Sequence, residues 1–170
     1  MTEYVALLRG VNLGKRQLRM EDLRRIATDL GLASPRTLIA SGNLLFASDN
    51  GEEALKAKLE AALQAHMGAP VPVMIRTAVE MRAVAAANPF GDQPGNKVVA
   101  IFLDEAPPAN AAADAKHVAD ERIELGRREL YVHYPAGQGP SKLAISAAAA
   151  GTARNMNTVR KLADMAVEIG

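Results

Sequence analysis

The fold is decided near the start of the chain, in residues 4–30, which read YVALLRGVNLGKRQLRMEDLRRIATDL. Tyr4 to Arg9 is a short apolar run that ends at Gly10, and the polar, basic stretch after it has no periodicity. Apolar residues then recur at helical spacing from Met20 to Leu30, just before a glycine that can accept a left-handed backbone. The predicted order is strand, loop, helix.

The next stretch continues the alternation of short elements. Residues 36–40 and 44–48 are extended segments around Ser41-Gly42-Asn43, a turn sequence that predicts a hairpin. A capping box at Asn50 and Glu53 predicts the start of a second helix.

That second helix should end at Gly68, and Val71 to Arg76 should follow as a strand. The first half therefore reads β-α-β-β-α-β. Among the topologies that short right-handed connections allow, this order is typical of the ferredoxin-like sandwich of one sheet and two helices. We expect both helices on one face of an antiparallel sheet.

The second half begins near Thr77, which forms a capping box with Glu80. We predict a ferredoxin-like subdomain at residues 1–77, packed against a second α+β subdomain with C-terminal helices at residues 78–170. The remaining predicted elements are a buried central strand at Val98–Leu103, a helix at Pro107–Val118, a hairpin of Glu121–Leu125 with Glu129–Tyr134, and helices at Ser141–Ala150 and Thr158–Ile169.

Composition excludes several classes of protein. The 170 residues carry 20 basic and 19 acidic side chains, so whole-molecule attraction to nucleic acid or anionic lipid should be weak. The chain has no cysteine, which excludes disulfides and fits a reducing compartment. The N-terminus lacks signal-peptide character, and no apolar run approaches the roughly 20 residues of a membrane span. We expect a cytoplasmic protein.

Four polar clusters stand out, and together they resemble a known family. They are Arg9-Gly10-Val11-Asn12-Leu13-Gly14, Ser41-Gly42-Asn43, Tyr134-Pro135-Ala136-Gly137 with Ser141-Lys142-Leu143, and residues 152–162, TARNMNTVRKL. The combination resembles the bacterial family catalogued as domain of unknown function 1697, from Tyr4 to Leu162. The resemblance implies an α+β fold with a ferredoxin-like N-terminal half. It brings no established activity and no catalytic residue.

The same clusters supply the candidate ligand-binding residues. The loop from Arg9 to Arg19 lies between a strand and a helix, where backbone N–H groups and basic side chains can cradle an anion. Arg154 precedes the last helix, and a helix cap needs no guanidinium. The predicted ligand-binding set is Arg9, Asn12, Lys15, Arg16, Ser41, Asn43, Lys142, Arg154 and Arg160. The alternative is that these residues only cap helices and turn the chain.

Metal and catalytic signatures are missing from the sequence. His66, His117 and His133 lie in three different predicted elements, and His133 should be solvated, so we predict no metal site and no cofactor. No pair of acids and no serine-centred elbow indicates hydrolysis, and the catalytic residues of any reaction stay unknown.

The leading hypothesis is binding of a small anionic or phosphorylated ligand between the two halves. Three alternatives stay open: a transferase or hydrolase acting on such a ligand, an interaction or structural protein without a ligand, and an RNA-binding protein. RNA binding is disfavoured because modules with this element order stack bases on sheet aromatics, and the predicted third strand begins Leu44-Leu45-Phe46. The oligomeric state is left open.

Overall fold

A computed structural model describes residues 1–13, 17–39 and 42–167, without the side chain of residue 167. This part of the chain has a mixed α+β fold with two four-stranded antiparallel sheets and four α-helices. The chain forms two compact units, Met1–Met81 with Leu162–Gly170, and Arg82–Lys161. The boundary after Met81 lies four residues beyond the boundary predicted at residue 77. The C-terminal segment from Leu162 belongs to the first unit.

The first unit follows the predicted order β-α-β-β-α-β. Its elements are β1 (Thr2–Leu8), α1 (Met20–Asp29), β2 (Ala33–Thr37), β3 (Asn43–Ser48), α2 (Glu52–Met67) and β4 (Val73–Thr77). The strands are arranged β2-β3-β1-β4, and every neighbouring pair is antiparallel. The predicted hairpin is confirmed, since β2 and β3 pair around Gly42.

Both helices of this unit cover the same face of the sheet, as predicted. Alternate residues of β1, namely Tyr4, Ala6 and Leu8, point to that face because successive side chains of a strand face opposite ways. The helices contribute Leu23, Ile26 and Ala27 from α1 and Leu55, Leu59 and Leu63 from α2, all buried. One apolar core therefore lies between the sheet and its two helices.

The opposite face of the first sheet is also buried but more polar. Val5 and Leu7 are fully buried there, and their register partners Arg76 and Asn43 are almost without exposure. Helix α4 (Met156–Val167) reaches this unit at its end, where a guanidinium nitrogen of Arg36 donates to the main-chain carbonyl of Met165 at 2.7 Å.

Only one of the two predicted capping boxes forms. Thr77 and Glu80 are confirmed: the Thr77 N–H donates to Glu80 Oε1 at 2.9 Å, and the Glu80 N–H donates to Thr77 Oγ1 at 3.1 Å. The box at Asn50 and Glu53 is wrong, because α2 begins after Gly51 and has no side-chain cap. Gly68 ends α2 in the left-handed conformation, as predicted.

The second sheet is built from the later strands. The elements are α3 (Ala78–Ala86), β5 (Val98–Phe102), β6 (Arg122–Leu125), β7 (Glu129–His133), β8 (Thr152–Asn155) and then α4. The strand order is β6-β7-β5-β8, again antiparallel throughout. The prediction that β5 is a buried central strand is confirmed, since it lies between β7 and β8 and all of its residues are buried.

Two predicted helices of the second half are wrong. Residues 107–118 form turns instead, because alanine content alone gives no apolar stripe to hold a helix on the sheet. Residues 141–145 form no helix, and a single 3-10 turn follows at Ser146–Ala148. Leu143 and Ile145 are two residues apart, as on one face of an extended chain, and both pack against the core of the second sheet. Ala147 and Ala148 of the 3-10 turn pack there as well.

The two irregular stretches meet in a short antiparallel bridge. The Lys116 N–H donates to the Ala144 carbonyl at 2.8 Å, and the Ala144 N–H donates back to Lys116 at 3.0 Å. Together they cover the sheet face that carries Val99, Ile101 and Leu130. Across the described residues, no helix has both the length and the apolar character that a membrane span needs.

Candidate functional site

Two of the sequence motifs meet at one end of the two central strands of the first sheet, β1 and β3. The Leu8 N–H donates to the Gly42 carbonyl at 2.9 Å, which joins the end of β1 to the start of β3. Gly42 has a φ of +88°, and an added Cβ would lie 2.7 Å from Val11 Cγ2. Glycine is needed here both for the backbone conformation and for the close approach of the Val11 side chain. The loop after β1 and the turn before β3 therefore form one surface.

Arg9 follows directly after β1. Its backbone N–H donates to the Pro72 carbonyl at 2.9 Å, which fixes its position beside β4. The side chain is half-buried, and within the described residues its guanidinium makes no hydrogen bond or ion pair. Arg9 is thus positioned by the backbone, and no other described residue neutralises its charge.

Asn12 and Asn43 have structural tasks. Asn12 adopts a left-handed φ of 59°, and its Oδ1 accepts the Leu18 N–H at 2.6 Å. Asn43 is fully buried, and its Nδ2 donates to the Leu38 carbonyl at 2.9 Å, which closes the β2–β3 turn. Both amides shape the loops that surround Arg9.

Three of the predicted residues, Lys15, Arg16 and Ser41, lie outside the described residues. Beside this gap an open cavity of about 610 Å³ borders the start of α1. Its lining residues are Asn12, Gln17, Leu18, Arg19, Met20, Glu21 and Arg24.

The first turn of α1 contains its own acidic side chains, which would compete with a bound anion for the start of this helix. Arg19 forms an ion pair with Glu21, and Arg24 donates to Thr37 Oγ1 at 2.7 Å. Glu21 and Asp22 occupy the first turn, where the helix dipole favours negative charge. The helix start is therefore already supplied with carboxylates.

Arg154 lies on strand β8, so its predicted place in a turn before the last helix is wrong. It pairs in register with Ala100 of the central strand and is 7% exposed. Its guanidinium donates to Thr152 Oγ1 at 2.8 Å and to the Ala153 carbonyl at 2.9 Å. Burial lowers the pKa of Arg154 to about 10, because a low-dielectric site disfavours the charged form.

The start of α4 is capped by a residue that the sequence interpretation passed over. Asn155 Oδ1 accepts the Thr158 N–H at 3.0 Å. Arg160 is exposed on the first turn, and its Nη1 lies 3.0 Å from where a Cβ of Gly95 would be. Asn157 packs on the same glycine.

The Tyr134 and Ser141-Lys142 motif borders a cavity of about 250 Å³ in the second unit. The chain reaches it from the segment before β6, the end of β7 and the start of the irregular stretch after it. The lining residues are His117, Ala119, Asp120, Glu121, Tyr134, Ala136, Gly137, Pro140, Ser141 and Lys142. Lys142 is exposed.

A carboxylate is held rigidly in the wall of this cavity. Glu121 Oε2 accepts the Ser141 hydroxyl at 2.5 Å, and Glu121 Oε1 accepts the Ala119 N–H at 2.8 Å. The bond from Ser141, followed by that from Ala119, lowers the pKa of Glu121 because both donors favour the charged form. Glu121 is ionised at neutral pH and points in a fixed direction.

Tyr134 completes this wall. The residue is 7% exposed, and its hydroxyl forms no hydrogen bond with the part of the chain that is described. Burial, and to a lesser extent the charge of Glu121, raises the pKa of Tyr134, so the phenol stays neutral. Sequence reasoning named Tyr134 only as part of a motif, and no local pattern around Glu121 marked that residue.

The histidines do not form a metal centre in the described residues, where no group of three or more candidate ligands lies together. The expectation that His133 is solvated is wrong. It is 8% exposed, and its ring centroid lies 5.7 Å from that of Phe90. Phe90 follows Asn88-Pro89, and its ring lies against the His133 ring. Strand alternation had predicted that the His133 side chain faces solvent.

Comparison with known proteins gives a family. The family described as "Protein of unknown function (DUF1697)" matches residues 1–131. The chain belongs to this family. The matched residues end before the Tyr134 and Ser141-Lys142 motif, so the 250 Å³ cavity is only partly covered by them.

One protein of known structure has a similar fold. It is the conserved bacterial protein SP0830 from Streptococcus pneumoniae, which is 25% identical, with a TM-score of 0.82. The alignment covers 98% of this chain and 99% of that one. No curated protein matches the chain. The family and the neighbour are described without an activity, so the function is uncharacterised.

Proposed function

We propose that this protein binds a small anionic or phosphorylated ligand beside the end of β1, a central strand of its first sheet, with Arg9 as the principal contact. The observation that carries the proposal is the half-buried guanidinium of Arg9, which has no partner among the described residues. Partial burial removes water from a charged group, and that loss is unfavourable unless another group replaces the water. A bound anion would replace it.

The chemistry of the side chain selects the ligand class. A guanidinium presents a planar fork of donors that matches phosphate and carboxylate groups. Asn12 and Gly42 hold the adjoining loops in left-handed conformations, so the surface around Arg9 is built by the backbone. The basic residues Lys15 and Arg16 belong to the same loop in the sequence and would add positive charge.

Other predicted cations support the proposal less directly. The side chain of Arg154 is already bonded to Thr152 and Ala153, and Arg160 is exposed beside Gly95. The original prediction placed the ligand between the two halves and drew on both of these arginines. That location stays a prediction, and Arg9 is the member of the set whose surroundings favour an anion most.

Thermal melting tests this function. A ligand present at a hundred times its dissociation constant stabilises a fold by about 2.7 kcal/mol, which is a clear rise in Tm. The panel is inorganic phosphate, nucleotides and sugar phosphates, with wild type, Arg9→Ala and the control Arg127→Ala, an exposed arginine of the second unit. We expect at least one compound to raise the Tm of wild type and of the control, and not that of Arg9→Ala. A panel without effect, or a shift that persists in Arg9→Ala, contradicts the proposal.

The transferase or hydrolase alternative requires a general base. The Glu121–Ser141 pair brings a carboxylate to a hydroxyl, but the lowered pKa of Glu121 makes it a weak base. This arrangement favours binding over catalysis.

Two finer assignments belong with the proposal. We propose a ferredoxin-like topology for the first unit, supported by the order β2-β3-β1-β4 with antiparallel neighbours and two helices on one face. We also keep the prediction of a cytoplasmic location, which rests on the absence of cysteine.

A further inference from the structure

We propose that the 250 Å³ cavity of the second unit is a second binding site, and that it takes a small zwitterion with one ammonium and one carboxylate group. The cavity brings together carboxylate and ammonium side chains, a tyrosine whose ring is largely buried, and a serine. This site is separate from the surface around Arg9, and the inference does not depend on the anion site.

The charges of the lining select the sign of the ligand. Asp120 and Glu121 contribute two carboxylates, and Lys142 contributes one ammonium. The wall therefore has one more carboxylate than ammonium group. A purely anionic ligand is therefore repelled, whereas an ammonium group is attracted, and Lys142 offers a partner for one carboxylate of the same molecule.

Glu121 is positioned in advance for an ammonium group. Its carboxylate accepts the Ser141 hydroxyl and the Ala119 N–H, and the backbone N–H of Glu121 itself also favours the charged form. An ionised carboxylate has about four acceptor positions, so the group keeps capacity for a donor from a ligand. The two protein donors fix the carboxylate, and a ligand does not have to order it on binding.

Tyr134 is the polar group that the protein's own contacts leave open. More than nine-tenths of the residue is buried, yet its hydroxyl has no hydrogen-bond partner in the described chain and the residue lines the cavity. The hydroxyl of a tyrosine whose ring is buried usually makes a hydrogen bond. A ligand in the cavity supplies one, and the neutral phenol can accept from an ammonium group or donate to a carboxylate.

The volume restricts the ligand to a small molecule. Pockets for drug-sized ligands span about 300–1,000 Å³, and this cavity lies below that range. A free amino acid, or a compound of similar size with the same two charges, has the required chemistry.

A nuclear magnetic resonance titration of the full-length, ¹⁵N-labelled protein tests the site. The probes are the twenty common amino acids, followed for each one that binds by its decarboxylated amine and its deaminated acid. We expect saturable shifts at the amides of Ala119, Gly137 and Leu143. The amine should bind more tightly than the acid, because the lining has one more carboxylate than ammonium group.

Three variants separate the contributions. Tyr134→Phe keeps the ring and should raise the Kd about tenfold, as should Glu121→Gln, since each removes a hydrogen bond to a charged group. Lys142→Ala should raise the Kd of the zwitterion and leave that of the amine unchanged. Arg9→Ala should change neither value, which distinguishes this site from the proposed anion site.

The proposal is overturned if no probe gives saturable shifts at these amides, if the acid binds as tightly as the zwitterion, or if Tyr134→Phe leaves the Kd unchanged. Should Glu121→Gln fail to fold, Tyr134→Phe still decides the matter, because it removes one hydroxyl that bonds to no described residue.

Discussion

The two sheets have the same number of strands and the same antiparallel pairing, but their covers differ. In the first unit, α1 and α2 lie over one face and bury residues at regular helical spacing. In the second, one face is covered by Ala111, Leu143, Ile145 and Ala147 from irregular chain. The 250 Å³ cavity is bordered by the same irregular chain.

This difference shows how a binding cavity can arise beside a sheet. A helix satisfies its own backbone and presents a continuous apolar stripe, so it fits closely on a sheet. Irregular chain must satisfy its backbone through turns and side chains such as Glu121 and Ser141, which brings polar groups to the edge of the core. The polar wall of the cavity is a consequence of that requirement.

The largest expected effect is a loss of stability, and it is compared between a core residue of helix α2 in the first unit and one of the irregular segment in the second. Leu59→Ala, under α2, should lower the free energy of unfolding by about 2–5 kcal/mol, because Leu59 is fully buried. Leu143→Ala, in the irregular cover and only half-buried, should lower it by less than about 2 kcal/mol. Urea unfolding measures both, with the exposed Lys58→Ala as control. Equal losses would show that the irregular cover packs as tightly as the helix.

The next effect concerns a close approach at the start of β8. An added Cβ at Gly151 would lie 2.8 Å from the Phe102 carbonyl oxygen and 2.8 Å from Leu103 Cδ2. Gly151→Ala should therefore lower stability by about 1–3 kcal/mol. Gly139 is the matched control, because nothing lies within 4 Å of its added Cβ, and Gly139→Ala should be neutral or slightly stabilising. Similar losses at both glycines would contradict the packing around Gly151.

A third comparison uses the two capping boxes. Thr77→Ala removes the oxygen that accepts the Glu80 N–H and should lower the free energy of unfolding by about 1 kcal/mol. Asn50→Ala should change it by less than about 0.5 kcal/mol, since α2 has no side-chain cap. Thermal unfolding of both variants suffices. A larger loss for Asn50→Ala than for Thr77→Ala would reverse the assignment of the two caps.

The smallest expected effect is a pH dependence at the cavity. The folded-state pKa of Glu121 is lowered, so the ionised group stabilises the fold above its unfolded pKa of about 4.3, and this contribution is lost as pH falls through the folded pKa. The stability difference between wild type and Glu121→Gln should be constant from pH 6 to 8 and shrink in acid. Glu124→Gln, an exposed neighbour on β6, is the control. A difference that grows in acid would have the wrong sign.

Sequence reasoning predicted the first unit well because its signals were periodic. The apolar spacing of α1 and α2 identified both helices, and Gly68 marked the end of α2. The hairpin at Gly42 followed from turn chemistry. The Asn50 box failed because residue type alone does not say whether a side chain reaches the helix.

The second unit was harder to predict for a physical reason. Residues 107–118 and 141–150 are rich in alanine, which favours a helix but supplies no face to bury. The spacing of Leu143 and Ile145, which both pack against the core, was the signal against a helix over residues 141–145.

The sequence indicated which kinds of side chain could bind an anion, but it located only some of them correctly in the fold. Among the described residues Arg9 has no side-chain partner and Lys142 is exposed, whereas Arg154 lies on a strand and Asn43 closes a turn. Tertiary contacts, such as the one between Glu121 and Ser141, have no local signature.

Hydrogen exchange at single-residue resolution tests the contrast between the covers most directly. Amides in the middle of α2, residues 56–66, should be strongly protected, because each donates within a helix packed on the core. In the irregular cover, the amides of Lys116 and Ala144 should be protected by their mutual bridge, while most others in residues 107–118 and 141–150 exchange much faster. Continuous, helix-like protection across either of those stretches would contradict the account.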